Sequence, residues 1–469
     1  MRLGLLIAAL VALLPFKALL QESMPPANND AVYVIIKDIQ VEGNEKTIDN
    51  VILAESKLNV GDSISLTELA KELKNSQQNI LNTRLFNQVD LLISDWQDDE
   101  IELQITVDER WYIYPIPVFE LTGITFGEWV NNFDADLDRV TYGLEVKHFN
   151  ARKRAERLEL VAKTGFQQQY AASYFFPGLD KARNLGLGFG VSHLENKGAT
   201  TSINNHEITA PLFDTDVLQR TQANVIVTYR KEITRRHSLS IGVRTTEIAD
   251  TILDLSSNFF AGNSLKQSFF DAQYTLNMEH RNLLEYPTEG YYLFGFARYE
   301  GIGTSGLDLF SSGFIANKYS KVGKKTFLSG SLQSLYIGGE TIPFNNLISK
   351  RLDDDVFRGY EDYVLVPKSY FLMKSELRYA LVDKQFQKVP VLPKQFEPVP
   401  FKIYPKLFVD FGRTFSDQLE TTNPLNDDLL YSFGAGVDLV TLYNLPIRFE
   451  FSQNHLKENN LSFSIGKSF

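Results

Sequence analysis

The chain has 469 residues, no cysteine and a formal net charge of −11 at pH 7. Without cysteine it forms no disulfide and no thiolate metal site, and its acidity argues against nucleic acid as a partner. The 6 histidines lie singly, with no pair at metal-ligand spacing, and no Gly-x-Ser-x-Gly elbow occurs. We therefore expect no enzyme, no metal and no cofactor.

The N-terminus carries the pattern of an export signal. An uncharged apolar run follows Arg2 and ends at Phe16. This run is too short to span a bilayer comfortably, and one basic residue precedes it, as is typical of a secretory signal peptide. We predict that residues 1–20 are this signal peptide. No later stretch offers about 18 consecutive apolar residues, so no transmembrane helix is predicted after it.

Residues 32–110 predict one small α+β domain. The segment VYVIIKDIQVEGN alternates apolar and polar residues and ends in a Gly-Asn turn, which predicts a strand. A short helix is predicted over residues 47–53, and a longer helix is predicted to begin at Ser65. Two further strands, near residues 86–94 and 100–108, meet at an acidic turn. The predicted order is β-α-α-β-β.

The stretch ERWYIYPIPVFELTGITFGEWV, residues 109–130, is rich in aromatic residues but matches none of the periodic strands that follow it. We predict that residues 111–138 form a linker at the membrane interface, where Trp and Tyr favour the headgroup level. The alternative is a plug segment.

From residue 139 onward apolar and polar residues alternate in segments typical of strands. In the last of these, Leu461, Phe463, Ile465 and Phe469 share one face. An even number of segments closes an antiparallel barrel with both chain ends on the periplasmic side, whereas the alternative is a pair of soluble β-domains. We count about sixteen segments, which begin near Val140, Arg157, Tyr170, Leu185, Ser202, Thr221, Ser238, Ser268, Gly290, Leu307, Lys325, Ser369, Lys402, Leu429, Ile447 and Leu461.

The gaps between these segments are unequal, as expected for a barrel with short periplasmic turns and long outer loops. The longest gap before the last five segments, residues 338–368, contains the sequence DDDVFRGYEDY.

Three short patterns in residues 32–110 resemble those of a POTRA domain: Val41-Glu42-Gly43-Asn44, Gly61-Asp62 and Leu85-Phe86. A POTRA domain followed by such a barrel resembles the BamA/TamA-type outer-membrane assembly and translocation family, also called bacterial surface antigens. The resemblance covers nearly all of the chain after the signal peptide. It implies an all-β transmembrane barrel of about sixteen antiparallel strands, residues 139–469, preceded by one α+β POTRA domain, residues 32–110, which lies in the periplasm of an outer-membrane protein.

The most specific mark of this family is an Arg-Gly-aromatic motif in the sixth outer loop, which here is Phe357-Arg358-Gly359-Tyr360. The family usually has Val or Ile directly before the Arg, whereas this chain has Phe357 there. Three further patterns resemble family motifs at the turn between strands eight and nine, in strand twelve and in strand thirteen: Tyr286-Pro287-Thr288-Glu289-Gly290, Glu376-Leu377-Arg378 and Phe408-Val409-Asp410-Phe411-Gly412.

Alternation within strands twelve and thirteen places Glu376, Phe408 and Asp410 on the lumen face. We predict that residues 338–368 fold back into the barrel and that Arg358 binds Asp410 and Glu376 through charge-assisted hydrogen bonds. The alternative is a solvated loop in which Arg358 pairs with the neighbouring acids of residues 353–355.

Neighbours of Arg358 have predicted roles as well. Gly359 lets the backbone turn tightly beside the wall, and the rings of Phe357 and Tyr360 pack the tip of the loop. At the end of the chain, we predict that Phe469 lies in the aromatic girdle of the periplasmic rim and acts as the assembly signal of the barrel.

The resemblance implies an insertion factor for unfolded outer-membrane proteins, with outer-membrane lipids and periplasmic or lipoprotein accessory subunits as further partners. The edge of the POTRA sheet would accept a client by β-augmentation. The first and last strands, predicted as VTYGLEVKHFN and LSFSIGKSF, would form the seam where the client inserts. Two alternatives stay open: a dedicated translocator similar to two-partner secretion proteins, and a non-catalytic scaffold of an assembly complex.

Overall fold

The computed structural model describes residues 32–121, 135–204, 207–303, 306–339, 342–350, 357–361, 363–390, 392, 397–416 and 424–466. The predicted signal peptide, the acids of residues 353–355 and the predicted assembly signal Phe469 lie outside these ranges. No helix in the described part of the chain is long and apolar enough to cross a membrane.

An α+β domain occupies the N-terminal part of the described chain. Its elements are β1 Tyr33–Glu42, α1 Asp49–Ser56, β2 Ser63–Ser65, α2 Leu66–Leu81, β3 Phe86–Gln97 and β4 Glu100–Glu109. The sheet order is β2-β1-β4-β3, with β1 parallel to β4 and the other pairs antiparallel. Apolar side chains of the sheet and of both helices form its core, including Ile36, Ile52, Ile80 and Ile101. The predicted order is confirmed, with the short β2 as an addition.

Most other strands close an antiparallel barrel. The remaining elements are β5 Ile113–Leu121, β6 Val140–Ala151, β7 Glu156–Gly165, β8 Gln167–Phe176, β9 Leu185–Asn196, β10 Ser202–Asn204, β11 Glu207–Thr209, β12 Leu218–Tyr229, β13 Arg235–Ile248, α3 Asp250–Leu255, β14 Lys266–Glu279, β15 Gly290–Ile302, β16 Leu309–Lys321, β17 Thr326–Gly338, α4 Phe344–Ile348, β18 Ser369–Tyr379, β19 Val382–Phe386, β20 Val399–Phe415, β21 Leu429–Thr441, β22 Leu445–Asn454 and β23 Asn459–Ile465. The barrel runs from β5 to β9 and from β12 to β23, where β23 lies beside β5.

Strands β18 and β19 share one position in the barrel because both pair with β20, on either side of Ala380 and Leu381. The described barrel therefore has 16 strand positions, since two of its 17 strands occupy one place. This confirms the predicted fold class. By the same count, the loop that contains Arg358 lies between positions eleven and twelve, which are β17 and β18.

The outer surface of the barrel is apolar, whereas the lumen carries most of its charges. Large apolar side chains are exposed along the outward face of successive strands, among them Leu160, Tyr170, Phe189, Val191, Leu239, Ile241, Phe314, Leu407, Phe433, Phe449, Phe451, Leu461 and Phe463. A soluble protein would not leave such a continuous apolar band in water. The surface is that of a membrane-spanning barrel, and the alternative of two soluble β-domains is excluded.

The prediction for residues 111–138 was wrong in part, because β5 at Ile113–Leu121 is a barrel strand that pairs with β6 over its whole length. This strand was not predicted because it contains Pro115 and Pro117, and proline within a segment argues against a strand. The first barrel strand is therefore β5, and the predicted first strand VTYGLEVKHFN is the second, β6.

The predicted barrel strand near Ser202 was also wrong. Residues Ser202–Asn204 pair with Glu207–Thr209 in a separate hairpin that does not join the barrel. Each of its strands has three residues, too short to span the apolar thickness of a bilayer. The predicted number of barrel strands is nevertheless correct, because the prediction missed β5 and counted the segment near Ser202 in its place.

The N-terminal domain docks against one mouth of the barrel. Thr47 Oγ1 lies 3.0 Å from the hydroxyl of Tyr112 and accepts a 2.9 Å hydrogen bond from Asn150 Nδ2. Burial raises the pKa of Tyr112 above its usual range, so its hydroxyl stays protonated. In the described part of the chain, two ion pairs join the domain to the barrel, Arg230–Glu55 at 2.5 Å and Arg84–Glu285 at 3.0 Å.

We expect Gly43→Ala to destabilise the N-terminal domain more than Gly61→Ala does. Both glycines have positive φ, at +85° and +93°, but a Cβ at residue 43 would lie 2.1 Å from the carbonyl oxygen of Val107, whereas a Cβ at residue 61 would meet nothing within 4 Å. The strained φ alone costs about 1–3 kcal/mol, and the clash adds to it at residue 43 only. The check is urea-dependent proteolysis of this domain in the full-length protein; equal shifts for the two variants contradict the expectation.

Candidate functional site

Arg358 lies inside the barrel, at the tip of the loop between β17 and β18, and is only 5% exposed. Its guanidinium donates two hydrogen bonds to Asp410, from Nε at 2.7 Å and from Nη2 at 2.5 Å. Its Nη1 donates to Glu376 at 3.1 Å and to Glu450 at 3.2 Å. The planar guanidinium thus binds three carboxylates of the barrel wall: Asp410 on β20, Glu376 on β18 and Glu450 on β22.

An aromatic ring supports the guanidinium from one side. The carbon of the Arg358 guanidinium lies 3.9 Å from the ring centre of Phe408, which is a cation–π contact. Phe408 fits there because the neighbouring strand has Gly434, where a Cβ would come within 2.5 Å of the ring. Phe408 and Asp410 are two residues apart on β20 and face the lumen together, as alternation along a strand requires.

The residues beside Arg358 hold the loop tip against β21 and β22. The hydroxyl of Tyr360 lies 2.5 Å from His455 Nδ1 and donates to the carbonyl of Tyr431 at 3.1 Å. Burial raises the pKa of the Tyr360 hydroxyl above its usual range, so it remains a donor. Gly359, at φ +86°, places its carbonyl 2.9 Å from Asn454 Nδ2. The ring of Phe357 packs against that of Tyr360, with centres 4.9 Å apart.

The wall carboxylates also bind cations of the wall itself. Lys406 Nζ lies 2.7 Å from Asp438, 2.9 Å from Glu450 and 3.7 Å from Glu376. Arg378 Nε lies 3.4 Å from Glu376. We call this group, together with Arg358 and Asp410, the lumen ion cluster; its members are Arg358, Glu376, Arg378, Lys406, Asp410, Asp438 and Glu450.

A turn at the mouth nearest the N-terminal domain reaches the same cluster from the opposite side. The hydroxyl of Tyr286 donates to Asp438 at 2.8 Å, and Arg378 Nη2 donates to the carbonyl of Pro287 at 2.8 Å. The guanidinium of Arg378 also lies 4.7 Å from the ring centre of Tyr286. The turn between β14 and β15 and the outer loop between β17 and β18 are therefore joined through one set of buried charges.

A second contact holds the outer loop to a different part of the wall. Lys350, which follows α4, forms an ion pair with Glu300 of β15, and this carboxylate is fully buried. Arg298 and Arg244 lie 3.3 and 3.8 Å from the same Glu300. Asn345 of α4 accepts a 3.0 Å hydrogen bond from Arg220 of β12. We call residues 342–350 and 357–361 the loop strap. Each of these two ranges binds the barrel wall, the first through Lys350 and the second through Arg358.

The structure brings together seven of the residues singled out in the sequence: Phe357, Arg358, Gly359, Tyr360, Glu376, Phe408 and Asp410. Sequence reasoning missed Glu450 as a third carboxylate and Lys350 as a second contact. Glu450 could have been found, because alternation in β22 puts it on the polar face. In the described part of the chain, no group of His, Asp and Glu is arranged to hold a metal ion.

Comparison with known proteins identifies both domains. Residues 150–469 match the model of the Omp85 superfamily domain, and residues 34–110 match the POTRA model, described as a surface antigen variable number repeat. A curated relative is the outer membrane protein assembly factor BamA of Nitratidesulfovibrio vulgaris, 39% identical over 89 residues. That match covers 17% of this chain and 11% of the relative, so the chain spans about a tenth of the curated relative it matches.

Two solved structures share the fold at low sequence identity. BamA from Haemophilus ducreyi lacking POTRA domains 1–3 has a TM-score of 0.50 and 13% identity, and the match covers 92% of this chain and 83% of that one. CdiB from Escherichia coli has a TM-score of 0.53 and 12% identity, and the match covers 92% of this chain and 75% of that one.

The family model covers more than half of the chain, and it matches the barrel from the end of β6 onward. An Omp85 barrel with a POTRA domain lies in the outer membrane and holds that domain in the periplasm. The chain therefore belongs to the Omp85 superfamily and is an outer-membrane barrel with a periplasmic POTRA domain.

Proposed function

We propose that this protein receives unfolded outer-membrane proteins in the periplasm and inserts them into the outer membrane at the junction of β5 and β23. Membership of the Omp85 superfamily supports this proposal, as does the local similarity to a protein named as an outer membrane protein assembly factor. No nucleotide is required, because burial of the client's apolar surface in the bilayer drives insertion.

The proposed entry point for the client is the outer edge of β3. This strand lies at the end of the POTRA sheet and, among the described residues, pairs only with β4. Leu92 and Trp96 are exposed on it. An extended client segment can add to such an edge through backbone hydrogen bonds, which demand little of its sequence.

The proposed insertion point is the junction between the two ends of the barrel. β5 follows the POTRA domain directly, and β23 pairs with β22 from Ile447↔Ile465 to Gln453↔Asn459. The outward residues of β23, Leu461, Phe463 and Ile465, are all exposed. A client strand that forms there would meet backbone partners and lipid at the same time, as a closing barrel requires.

The observation that carries the proposal is the position of the loop strap. It binds the wall at Lys350–Glu300 and at Arg358–Asp410, on different parts of the barrel. A polypeptide that passed through the lumen would have to displace both buried contacts. Insertion at the side of the barrel leaves them in place, so it is preferred over a dedicated translocator.

Depletion of the protein in its native host tests the proposal. We expect a broad loss of outer-membrane barrel proteins, measured by quantitative proteomics of outer-membrane fractions, while lipoproteins keep their level. Loss of one secreted protein alone would identify a dedicated translocator, and an unchanged inventory would identify a scaffold; either outcome contradicts the proposal.

We expect Arg358→Ala and Arg358→Lys both to impair barrel assembly and to loosen the loop strap. Removal of the guanidinium leaves Asp410 buried without its bidentate partner, which costs about 3–5 kcal/mol if the site is fully dry and less in a wet lumen. Lysine lacks the planar fork that reaches several carboxylates at once. The measurements are complementation of the depleted host and protease cleavage between residues 338 and 368.

The matched control for this test is Arg413→Lys. Arg413 lies on the same strand as Asp410, but its 2.9 Å pair with Asp427 is exposed, and such pairs contribute about 0–1 kcal/mol. Wild-type behaviour of Arg358→Lys contradicts the assigned role of the guanidinium.

We expect Lys350→Gln to loosen the loop strap less than Arg358→Ala does. Glu300 keeps Arg298 and Arg244 as partners after Lys350 is removed, so the carboxylate is not left without a cation. The cost should therefore be about 1–2 kcal/mol rather than that of an unpaired buried charge. Protease cleavage of the loop on intact cells measures it, with the exposed Lys266→Gln as control. Cleavage as fast as in Arg358→Ala contradicts this ranking.

A further inference from the structure

A large cavity lies between the POTRA domain and the periplasmic mouth of the barrel. Its volume is about 850 Å³, at the upper end of the range of ligand sites. The POTRA side contributes the end of α1 and the polar face of α2, whereas the barrel side reaches the lumen-facing residues Asn277 and Tyr292. The cavity therefore lies between the domain that is proposed to receive the client and the interior of the barrel.

Four of the arginines that line this cavity lie on neighbouring parts of the barrel wall, between β7 and β13. Arg157 belongs to β7, Arg183 to the turn between β8 and β9, Arg230 follows β12 and Arg236 belongs to β13. These strands are neighbours in the barrel order, so the four guanidinium groups lie on one continuous patch of wall. We call them the periplasmic arginine cluster.

The cluster has more positive charge than the surrounding carboxylates balance. Arg230 forms an ion pair with Glu55, but no carboxylate of the described residues lies within ion-pair distance of the other three. Arg183 is only 5% exposed, and its Nε has no hydrogen-bond partner among the described residues, although its Nη2 donates to the carbonyl of Arg154. Two other arginines on the cavity wall are paired locally, since Arg281 binds Glu279 and Arg84 binds Glu285.

Among the described residues, Glu55 of α1 is the one carboxylate within ion-pair distance of the cluster. It accepts hydrogen bonds from Nη2 of Arg230 at 2.5 Å and from Nη1 at 3.1 Å. A side-chain carboxylate on a short segment of POTRA helix is thus the kind of group that this patch accepts.

We infer that the periplasmic arginine cluster binds acidic side chains of the client polypeptide and that Glu55 occupies the site when no client is present. The inference rests on the proposed function, because it names the chemistry of the client segment that reaches the barrel mouth. One carboxylate leaves three arginines of the cluster without a bound anion, so a segment with two or more acidic residues would bind more favourably than Glu55 alone.

The remainder of the cavity suits a polypeptide better than a bare phosphate. Phe149 and Phe175 line it with apolar surface, and Asn75 and Asn79 of α2 add side-chain amides. Amides can pair with the backbone of an extended segment, and the rings can cover its apolar side chains. A phosphate group alone would use the arginines and none of these.

The test uses the purified full-length protein in detergent and two fluorescent peptides of equal length, identical except that one has Glu where the other has Gln. Fluorescence anisotropy gives the two affinities. We expect the Glu peptide to bind at least about tenfold more tightly than the Gln peptide, with a difference that shrinks as salt rises. The double variant Arg157→Gln/Arg236→Gln should remove this preference, whereas Arg413→Gln at the outer rim should keep it.

Glu55→Gln provides an independent variant outside the barrel. It removes the resident carboxylate, whose effective concentration as a tethered competitor is about millimolar, so we expect the Glu peptide to bind several-fold more tightly. The control is Glu285→Gln, which breaks the other ion pair between domain and barrel, at Arg84, and should leave the affinity unchanged. An equal gain in affinity for the Glu peptide in both variants would mean that release of the POTRA domain from the barrel causes the gain. That result would overturn the role of Glu55.

Three further outcomes would overturn the inference. The first is no preference for the Glu peptide in the wild type. The second is a preference that survives in a double variant shown to be folded by its heat-dependent gel mobility. The third is displacement of the Glu peptide by inorganic pyrophosphate at a lower concentration than by unlabelled peptide, which would assign the site to phosphate groups. All three outcomes are measured on purified protein. They can therefore be told apart from a failure of the proposed function, which is tested by depletion in the host.

Discussion

The contact between Arg358 and Asp410 is the constraint on which the interior of this barrel depends. A buried guanidinium is tolerated only where carboxylates and a ring replace the water it has lost. That requirement explains the neighbouring sequence: acids alternate with lipid-facing residues on β18, β20 and β22, and Gly434 leaves room for Phe408. The lumen is therefore a polar interior with defined partners rather than an open water channel.

Segments from both ends of the barrel meet in this interior. The outer loop enters from above, and the turn with Tyr286 and Pro287 enters from below; both meet the lumen ion cluster. Below the turn, the POTRA domain is fixed to the mouth by Arg230–Glu55 and Arg84–Glu285. Glu285 and Tyr286 are adjacent in the chain, so one turn carries both an ion pair to the POTRA domain and a hydrogen bond to the lumen ion cluster.

Much of this architecture could be predicted because it follows from short-range patterns. Alternation assigned Glu376, Phe408 and Asp410 to the lumen, and the resemblance at Phe357-Arg358-Gly359-Tyr360 supplied the loop that meets them. Contacts between distant segments could not be predicted in this way: Lys350 and Glu300 lie in different elements with no shared motif, and Glu55 meets Arg230 only after two domains have docked. The strand β5 was missed for a local reason, the two prolines that its alternation contains.

Those prolines have a consequence for how the barrel closes. The register of β5 with β6 runs unbroken from Ile113 to Leu121, through Pro115 and Pro117. In an antiparallel ladder this continuity requires that the hydrogen bonds to β6 come from the alternate residues, such as Tyr114 and Ile116. The two imino nitrogens therefore point away from β6, to the side of β5 on which the barrel closes, and they have no hydrogen to donate. The edge of β5 that closes the cylinder is therefore short of two backbone donors by its covalent chemistry.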